Sequence, residues 1–206
     1  MISSKPIFTV GHSTHTVEKL IHLLQAHGVT AVADVRSSPR STLNPQFNRE
    51  ALQKSLKAQR IAYAFLGKEL GARSEDPGCY EDGKVKYRRL AATSLFRQGV
   101  DRLRRGMENY RIALLCAEKE PLFCHRAILV ARELQSLGIS VEHIHGDGHL
   151  ERHSEAMVRL LDLLGLAEKD FFQSDAQLFE RAYSLQEDRI AYVDGKMTGI
   201  GAREVS

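Results

Sequence analysis

Residues 29–36 read Val-Thr-Ala-Val-Ala-Asp-Val-Arg, a nearly continuous apolar run whose charged residues come only at its carboxyl end. This pattern is typical of a strand that is buried on both faces of a parallel sheet. Residues 111–116, Arg-Ile-Ala-Leu-Leu-Cys, form a second run of the same kind. The two stretches predict a parallel sheet whose polar and thiol side chains gather at one edge.

Helical patterns separate these strands from three further short ones. Strands are also predicted over 7–10, 61–66 and 141–144, and helices over 17–27, 49–59, 86–108 (interrupted at Gly99), 126–137 and 152–164. Thr16 and Asn48 are the predicted caps of the first two helices. Strand and helix alternate about five times, which predicts an α/β fold with a parallel, doubly wound-like sheet of about five strands and helices on both faces. Residues 67–83 carry four Gly and one Pro without periodicity, so we expect a long loop that is functional or mobile.

The length of 206 residues and the composition, 43% hydrophobic and 27% charged, fit one globular domain with an appendage. We expect an α/β domain over 1–166, and within 167–206 a C-terminal helix (about 171–187) and a short strand (190–193) packed on it. No apolar run approaches the ~20 residues of a membrane helix, and no signal-peptide pattern opens the chain. Three cysteines without an export signal indicate reduced thiols in a cytoplasmic protein.

The sharpest candidate for chemistry is Cys124, which His125 and Arg126 follow at the predicted start of a helix. The positive end of the helix and the two cationic neighbours favour a thiolate, which is the reactive form of cysteine. The alternative is a small buried side chain that only packs. Because Ala127 and Val130 stand where a second Cys or a phosphate-loop Arg would be, neither a thioredoxin-type nor a phosphatase-type mechanism is predicted.

Other polar residues also follow the predicted strands, at the edge where open parallel sheets bind ligands. They are Gly11, His12 and Ser13 after the first strand, Asp34, Arg36 and Arg40 after the second, Cys116 and Glu118 after the fourth, and His143 and His145 at the fifth.

Each of these residues has a functional and a structural interpretation. Arg36 and Arg40, with Arg73, are candidates to bind an anion, whereas Asp34 either orients that site or simply braces Arg36. Glu118 is a cleft carboxylate or a solvated loop residue.

Gly11 lets the backbone approach a ligand closely. His12 is a general base, a metal ligand or a buried, hydrogen-bonded histidine. Cys116 is a core thiol, or it shares a disulfide or a metal ion with Cys124.

The nine histidines all fall in two stretches, 12–27 and 125–153. The second stretch resembles a metal site, because His143 and His145 lie on the same face of the predicted strand and could both be ligands. No spacing in it matches an established zinc motif.

The order of several motifs resembles the domain of unknown function 488 family. They are Thr-Val-Gly-His-Ser near the amino terminus, Ala-Asp-Val-Arg-Ser-Ser-Pro-Arg, Leu-Leu-Cys-Ala-Glu-Lys-Glu-Pro with Cys-His-Arg, and Val-Glu-His-Ile-His. A tail element, Ala-Tyr-Ser-Leu-Gln-Glu-Asp-Arg-Ile-Ala-Tyr, extends the resemblance to about residues 7–193. It implies an α/β fold and brings no established reaction. Its motif positions are Gly11, His12, Ser13, Asp34, Arg36, Pro39, Cys116, Glu118, Cys124, His125 and Arg126.

Three hypotheses follow. The first is an enzyme whose Cys124 thiolate acts on an anionic substrate such as a phosphate-bearing nucleotide or nucleic acid. In it, His125 or His12 moves protons, and Arg36, Arg40 and Arg126 supply positive charge. The second is a nucleotide or nucleic-acid binding module without catalysis, which uses the basic residues Arg88, Arg89, Arg102, Arg104 and Arg105. The third is a metal-dependent hydrolase with Cys and His ligands. No cofactor and no oligomeric state is predicted.

Overall fold

The computed structural model describes residues 5–166 and 174–195. Its strands are β1 Ile7–Gly11, β2 Ala31–Asp34, β3 Ala62–Phe65, β4 Tyr80–Glu81, β5 Lys84–Val85, β6 Ile112–Cys116, β7 Val141–Ile144 and β8 Leu150–Arg152. Its α-helices are α1 Val17–Ala26, α2 Arg49–Ala58, α3 Gly67–Leu70, α4 Tyr87–Ala91, α5 Ser94–Met107, α6 Arg132–Ser136, α7 His153–Leu164 and α8 Asp175–Ile190. A π-helix covers Arg126–Ala131, and short 3-10 helices cover Pro45–Phe47, Pro77–Cys79 and Pro121–Phe123.

A six-stranded sheet in the order β3-β2-β6-β1-β7-β8 forms the centre of the molecule. The first five strands in this order are parallel, and β8 is antiparallel to β7. The predicted α/β fold is therefore confirmed, with one strand more than expected. β8 is missing from the prediction because it has only three residues, the first and last of them exposed, and contains no apolar run.

Helices cover both faces of the sheet, because successive strand residues point to opposite sides. In β6, Ala113 and Leu115 pack with α1 and α2 on one face. Ile112, Leu114 and Cys116 belong to the larger core on the other face, with α5 to α8. The sheet register pairs Gly11 with Cys116, so the chain leaves β1 and β6 at the same level.

The first helix begins as predicted, since Thr16 Oγ1 accepts a hydrogen bond from the backbone N–H of Lys19 at 3.2 Å. The predicted helix over 86–108 is in fact two helices, α4 and α5. The break lies at Thr93, whose side chain caps α5, and not at Gly99. Gly99 lies inside α5, where a Cβ atom would come within 2.7 Å of the Glu69 side chain. Its role is close packing of α5 against α3.

Residues 67–83 form more structure than the predicted loop, namely α3, a 3-10 turn and the small β4–β5 hairpin. The expected strand over 190–193 is not a strand: α8 continues to Ile190, and Val193 forms only an isolated bridge with Lys84. Part of the predicted C-terminal segment, residues 167–173 and 196–206, lies outside the described residues, so the boundary at 166 stays a prediction. Among the described helices, none is both long and apolar enough to cross a membrane.

Candidate active site at the carboxyl ends of the sheet

Two thiols and one imidazole, which we name the cysteine cluster, lie together at the carboxyl end of β6. Cys116 is the last residue of that strand, and Cys124 and His125 immediately precede the π-helix. The Nδ1 atom of His125 lies 3.6 Å from Sγ of Cys116 and 3.8 Å from Sγ of Cys124. The three atoms lie within 4.8 Å of one another, and all three residues are buried. This is a group that could hold a metal ion.

The orientation of His125 is fixed by a bond to the neighbouring strand end. Its Nε2 lies 3.0 Å from the carbonyl oxygen of Val35, which can only accept a hydrogen bond. Nε2 therefore carries the proton in the neutral ring, and the lone pair of Nδ1 faces the two sulfur atoms. This arrangement makes Nδ1 able to take a proton from either thiol.

Cys124 is the more acidic of the two thiols. Burial opposes its ionisation, but a hydrogen bond from Cys116 and the positive charges of Arg126 and His125 together hold the pKa of Cys124 well below the usual thiol range. The backbone N–H of Arg126 also donates to its sulfur at 3.4 Å. Burial and the neighbouring Cys124 raise the pKa of Cys116 well above that range. The cluster thus separates one thiolate from one thiol.

Glu118 reaches the cysteine cluster from the loop after β6. Its Oε2 lies 2.9 Å from Sγ of Cys124, a contact that needs one proton on either the sulfur or the carboxyl group. Burial of the carboxyl and the nearby Cys124 raise the pKa of Glu118, although much of the residue is open to solvent. Burial favours the neutral form of His125, but the negative charges of Cys124 and Glu118 outweigh burial and raise the pKa of His125. Glu118 and His125 can therefore both hold protons beside the thiolate.

The loop that carries Glu118 is held from beneath by Arg126. This arginine is 1% exposed, and its Nη1 and Nη2 donate to the carbonyl oxygens of Glu118 and Lys119 at 2.8 and 3.1 Å. Gly11 makes the loop's path possible, since a Cβ atom there would stand 1.8 Å from the Glu118 carbonyl oxygen. The group that approaches Gly11 closely is thus the chain's own loop, and a ligand contact at Gly11 stays a prediction.

Arg36 is braced by Asp34, the structural interpretation that the alternation of residues allowed. Its Nε and Nη2 donate to the two carboxylate oxygens at 2.9 and 2.6 Å, and Nη2 also donates to the Phe47 carbonyl at 3.0 Å. Nη1 lies 3.2 Å from Nε2 of His12. These contacts with described residues occupy four of the five N–H groups of Arg36 and leave one on Nη1 for a ligand.

His12 is a neutral, fully engaged imidazole. Its Nδ1 lies 2.9 Å from the Ser13 carbonyl oxygen, its Nε2 faces Arg36, and its ring stacks on Phe47 at 4.3 Å. Burial and, to a smaller extent, the charge of Arg36 lower its pKa to about 4. Of the two histidines predicted to move protons, His125 is therefore the one with a lone pair toward Cys124.

Two adjoining cavities open beside the cysteine cluster. The first cavity, of about 320 Å³, is lined by Arg36, Arg73, Tyr87, Cys116, Glu118, Phe123, Cys124, His125 and Tyr192, among others. The second cavity, of about 480 Å³, is lined by His12, Ser13, Arg36, Arg40, Glu118 and Lys119, among others. The structure thus brings most of the predicted site residues to two connected spaces, which share Arg36 and Glu118. Asp34, Gly11 and Arg126 support these walls from behind.

Several lining residues come from distant parts of the chain and had no signal in the sequence. Tyr87 begins α4, Phe123 ends a 3-10 turn, and Tyr192 follows α8. The Arg73 guanidinium lies 4.2 Å above the Tyr192 ring, which holds it in the wall of the first cavity. Nothing in the local pattern of these aromatic residues distinguishes them from core side chains.

The histidines of residues 143–153 do not join this site. A continuous line of buried hydrogen bonds, which we name the histidine chain, runs from Thr9 through His143 and His153 to Tyr183. Thr9 Oγ1 lies 2.7 Å from His143 Nδ1, His143 Nε2 lies 2.9 Å from His153 Nδ1, and His153 Nε2 lies 2.8 Å from the Tyr183 hydroxyl. His145 bonds instead to Glu151 at 2.8 Å. These residues therefore form hydrogen-bonded pairs, not the metal cluster that their density suggested.

Arginines of the basic helical stretch pair with carboxylates on the surface. Arg89 bonds to Glu81 at 2.7 Å, and Arg102 bonds to Glu69. A nucleic-acid surface there stays a prediction.

The family model described as "Domain of unknown function DUF488" matches residues 16–132. The chain belongs to the DUF488 family. The matched segment contains Arg36 and the cysteine cluster, whereas Gly11, His12 and the histidines from 143 onward lie outside it. A search of curated proteins and a search of solved structures found no match.

Proposed function

We propose that this DUF488 protein is an enzyme whose attacking group is the thiolate of Cys124 and whose substrate is a small anionic molecule. The observation that carries the proposal is that Cys124 lines the first cavity while its Sγ lies 3.4 Å from the Arg126 backbone nitrogen and 3.8 Å from His125 Nδ1. A thiolate held by a helix start and an imidazolium is the form of cysteine that attacks electrophiles.

The proton of Cys124 has two acceptors within reach, His125 Nδ1 and Glu118 Oε2. His125 Nδ1 can take it, because Nε2 is held by Val35 and, within residues 5–166 and 174–195, Nδ1 faces only the two sulfurs. Glu118 can return a proton to a leaving group, since its carboxyl lies at the boundary between the two cavities. These are the positions that general acid–base catalysis requires.

The anionic character of the substrate rests on Arg73. Arg36 is largely neutralised by Asp34, so the charge available to a ligand in the first cavity comes from Arg73 and from the remaining N–H of Arg36. Arg40 and Lys119 line the second cavity, where a longer substrate such as a nucleotide would place a phosphate group.

Alkylation kinetics test the nucleophile directly. At pH 7, iodoacetamide should modify Cys124 at least about tenfold faster than Cys79, because both residues are buried but only Cys124 lines the first cavity and is held as a thiolate. The variant Cys124→Ser should lose the fast phase, and Cys79→Ser should keep it. Equal rates at Cys124 and Cys79 in the folded chain would overturn the proposal.

The charge of the reagent tests the anion site. Iodoacetate should react faster relative to iodoacetamide at Cys124 than it does at a free thiol in solution. Arg73→Gln should remove this preference, while the exposed control Arg97→Gln should keep it. An unchanged preference in Arg73→Gln would remove Arg73 from the substrate site and leave the nucleophile in place.

A second candidate function is a metal-dependent hydrolase. The observation that favours it is the cysteine cluster itself, with three ligand atoms within 4.8 Å and the His125 Nε2 bonded to a backbone carbonyl, as metal-binding histidines usually are. Two Cys and one His suit Zn²⁺ and leave a fourth position toward the first cavity. Elemental analysis of tag-free protein decides between the candidates: about one zinc per chain favours the hydrolase, and a trace amount favours the free thiolate.

A further inference from the structure

We propose that Cys116 and Cys124 are a redox pair, and that the reaction at this site is reduction of a small anionic disulfide. The inference rests on the proposed function, in which Cys124 attacks, and adds a second thiol that completes the reaction. Both residues line the first cavity, and their sulfur atoms lie within 4.8 Å of each other and face the same nitrogen of His125.

The remaining cysteine of the chain shows how specific this placement is. Cys79 is buried in the core on the face of the sheet that carries α5 to α8, and it lines neither cavity. Cys116 belongs to the same core, since β6 is buried along its whole length. It differs from Cys79 because it ends a strand, where it lines the first cavity beside a second thiol.

The loop between the two cysteines keeps their sulfurs close. Its start is hydrogen-bonded to the two residues that follow β1. The N–H of His12 donates to the Cys116 carbonyl at 3.0 Å, and the N–H of Ser13 donates to the Ala117 carbonyl at 2.9 Å. Arg126 holds the same loop from the other side. A disulfide needs the sulfurs about 2.05 Å apart, so the two side chains move toward each other while the loop stays bonded.

The reaction balances in two exchange steps. The Cys124 thiolate attacks one sulfur of R–S–S–R, which forms a Cys124–S–S–R bond and releases RS⁻. This RS⁻ takes the proton that His125 Nδ1 received from Cys124 and leaves as RSH. The freed Nδ1 then takes the proton of Cys116, whose sulfur attacks Sγ of Cys124. This step forms the Cys116–Cys124 disulfide and releases the second RS⁻. The two protons given up by the thiols leave on the two RSH products, and a dithiol reductant restores the enzyme.

The walls of the first cavity fit the two parts of such a substrate. Arg73, and the free N–H of Arg36, meet an acidic group, whereas Phe123 and Tyr192 offer an apolar surface to its carbon chain. Phe123 is 52% exposed at the entrance, where an apolar contact with a bound molecule would cover it.

Oxidised glutathione, an anionic disulfide, is the probe. We expect the reduced full chain to release two thiols, to lose the mass of two hydrogen atoms, and to yield a peptide in which Cys116 is joined to Cys124. Cys116→Ser should stop at the mixed disulfide on Cys124 and release one thiol, and Cys116→Ala repeats this result if the serine variant folds poorly. Cys79→Ser should behave like the natural chain.

Two results would overturn the redox pair, and they differ in what they leave standing. A natural chain that stops at a mixed disulfide on Cys124 contradicts the pair but keeps Cys124 as the nucleophile. A chain in which Cys124 reacts with neither glutathione disulfide nor iodoacetamide contradicts the proposed function as well. Cystamine, a cationic disulfide, should react at least about tenfold more slowly than oxidised glutathione in the natural chain. Equal rates would overturn the anionic substrate.

Discussion

The cysteine cluster and the histidine chain are both buried polar groups packed against the same sheet, but their hydrogen bonding differs. In the histidine chain, every ring nitrogen of His143 and His153 has a neutral partner at 2.7 to 2.9 Å. In the cysteine cluster, Nδ1 of His125 faces two sulfurs at 3.6 and 3.8 Å, and all three residues line a cavity. The first arrangement is complete without a ligand, and the second is open to one.

Hydrogen-bond pairing distinguishes the structural polar residues from the reactive ones more clearly than residue type does. Buried polar groups that are fully paired stabilise one packing, whereas those with an unshared lone pair beside a cavity can react. The dense histidines at 143–153 satisfy one another or nearby carboxylates. His125 alone among the histidines discussed has its second nitrogen directed at thiols.

Replacing Arg126 should break the cysteine cluster with the largest effect. Arg126→Met removes the charge beside Cys124 and two hydrogen bonds to the loop, so we expect a loss of about 3 kcal/mol in the free energy of unfolding. The pKa of Cys124 should also rise, and the pH at which its alkylation rate reaches half of its plateau should rise with it.

The measurements are urea unfolding and the pH profile of iodoacetamide alkylation. Arg159→Met is the matched control, because Arg159 bonds to Glu120 and Glu151 and does not touch the cluster. It should lower stability without moving the pH profile. A profile in Arg126→Met identical to that of the natural chain would remove Arg126 from thiolate stabilisation.

Lowering the pH should have the next largest effect on the free energy of unfolding, and it should act through the histidine chain. Burial lowers the pKa of His153 to about 4 and that of His143 well below 6.5, although Glu151 opposes the shift at His153. Because the folded pKa values lie below the unfolded value of about 6.5, the unfolded chain binds protons first. The stabilisation is complete above pH 6.5 and is lost as the pH falls toward 4.

Urea unfolding from pH 8 to 4.5 checks this expectation. His153 accounts for a loss on the order of 3 kcal/mol over the full interval. His12, with its pKa lowered to about 4, adds a loss of the same sign. His153→Leu isolates the chain's share, since its stability should fall less steeply than that of the natural protein. Parallel curves for the two proteins would contradict the assignment.

The two regions also differ in what the sequence can predict about them. The apolar runs at 29–36 and 111–116 specify buried parallel strands locally, and strand ends locate Cys116 and Cys124 at one edge. The Asp34–Arg36 brace is likewise local, because alternation places residues two apart on one side. The family match over 16–132 covers this same part of the chain.

What the sequence does not predict is which nitrogen or sulfur is already satisfied. The lone pair of His125 faces the thiols only because Val35, ninety residues away, holds the opposite nitrogen. His153 is structural only because Tyr183 of α8 packs on it. Such pairings arise from tertiary packing between elements that carry no common local pattern. The edge strand β8 is missing from the prediction for a related reason, since it has only three residues and no apolar run.

Removing His153 at pH 8 should weaken the fold without affecting the chemistry. His153→Leu leaves His143 Nε2 and the Tyr183 hydroxyl without partners, so we expect the free energy of unfolding to fall by about 2 kcal/mol. The alkylation rate of Cys124 should stay within the error of the natural chain. His149→Leu, at an exposed residue, is the control and should change stability by no more than about 0.5 kcal/mol. A large fall in the alkylation rate of His153→Leu would show that the two regions are coupled.

The smallest effect should come from the end of the histidine chain. Tyr183→Phe removes one hydroxyl and keeps the ring, so the cost should be about 1 kcal/mol for the unpaired His153 Nε2. Thr9→Val makes the matching change at the other end, beside His143 Nδ1. The three hydrogen bonds can all donate from Thr9 toward Tyr183 or all in the opposite sense, because both terminal hydroxyls can donate or accept.

The double variant and the ring-nitrogen resonances show whether the chain acts as one unit. If the three bonds share one direction, Tyr183→Phe should shift the ¹⁵N resonances of His143 as well as those of His153, and the two substitutions should be non-additive by at least about 0.5 kcal/mol. Additive losses with a shift at His153 alone would mean that the bonds form independently. The contrast with the cysteine cluster would then rest on each nitrogen having a partner, and not on a connected network.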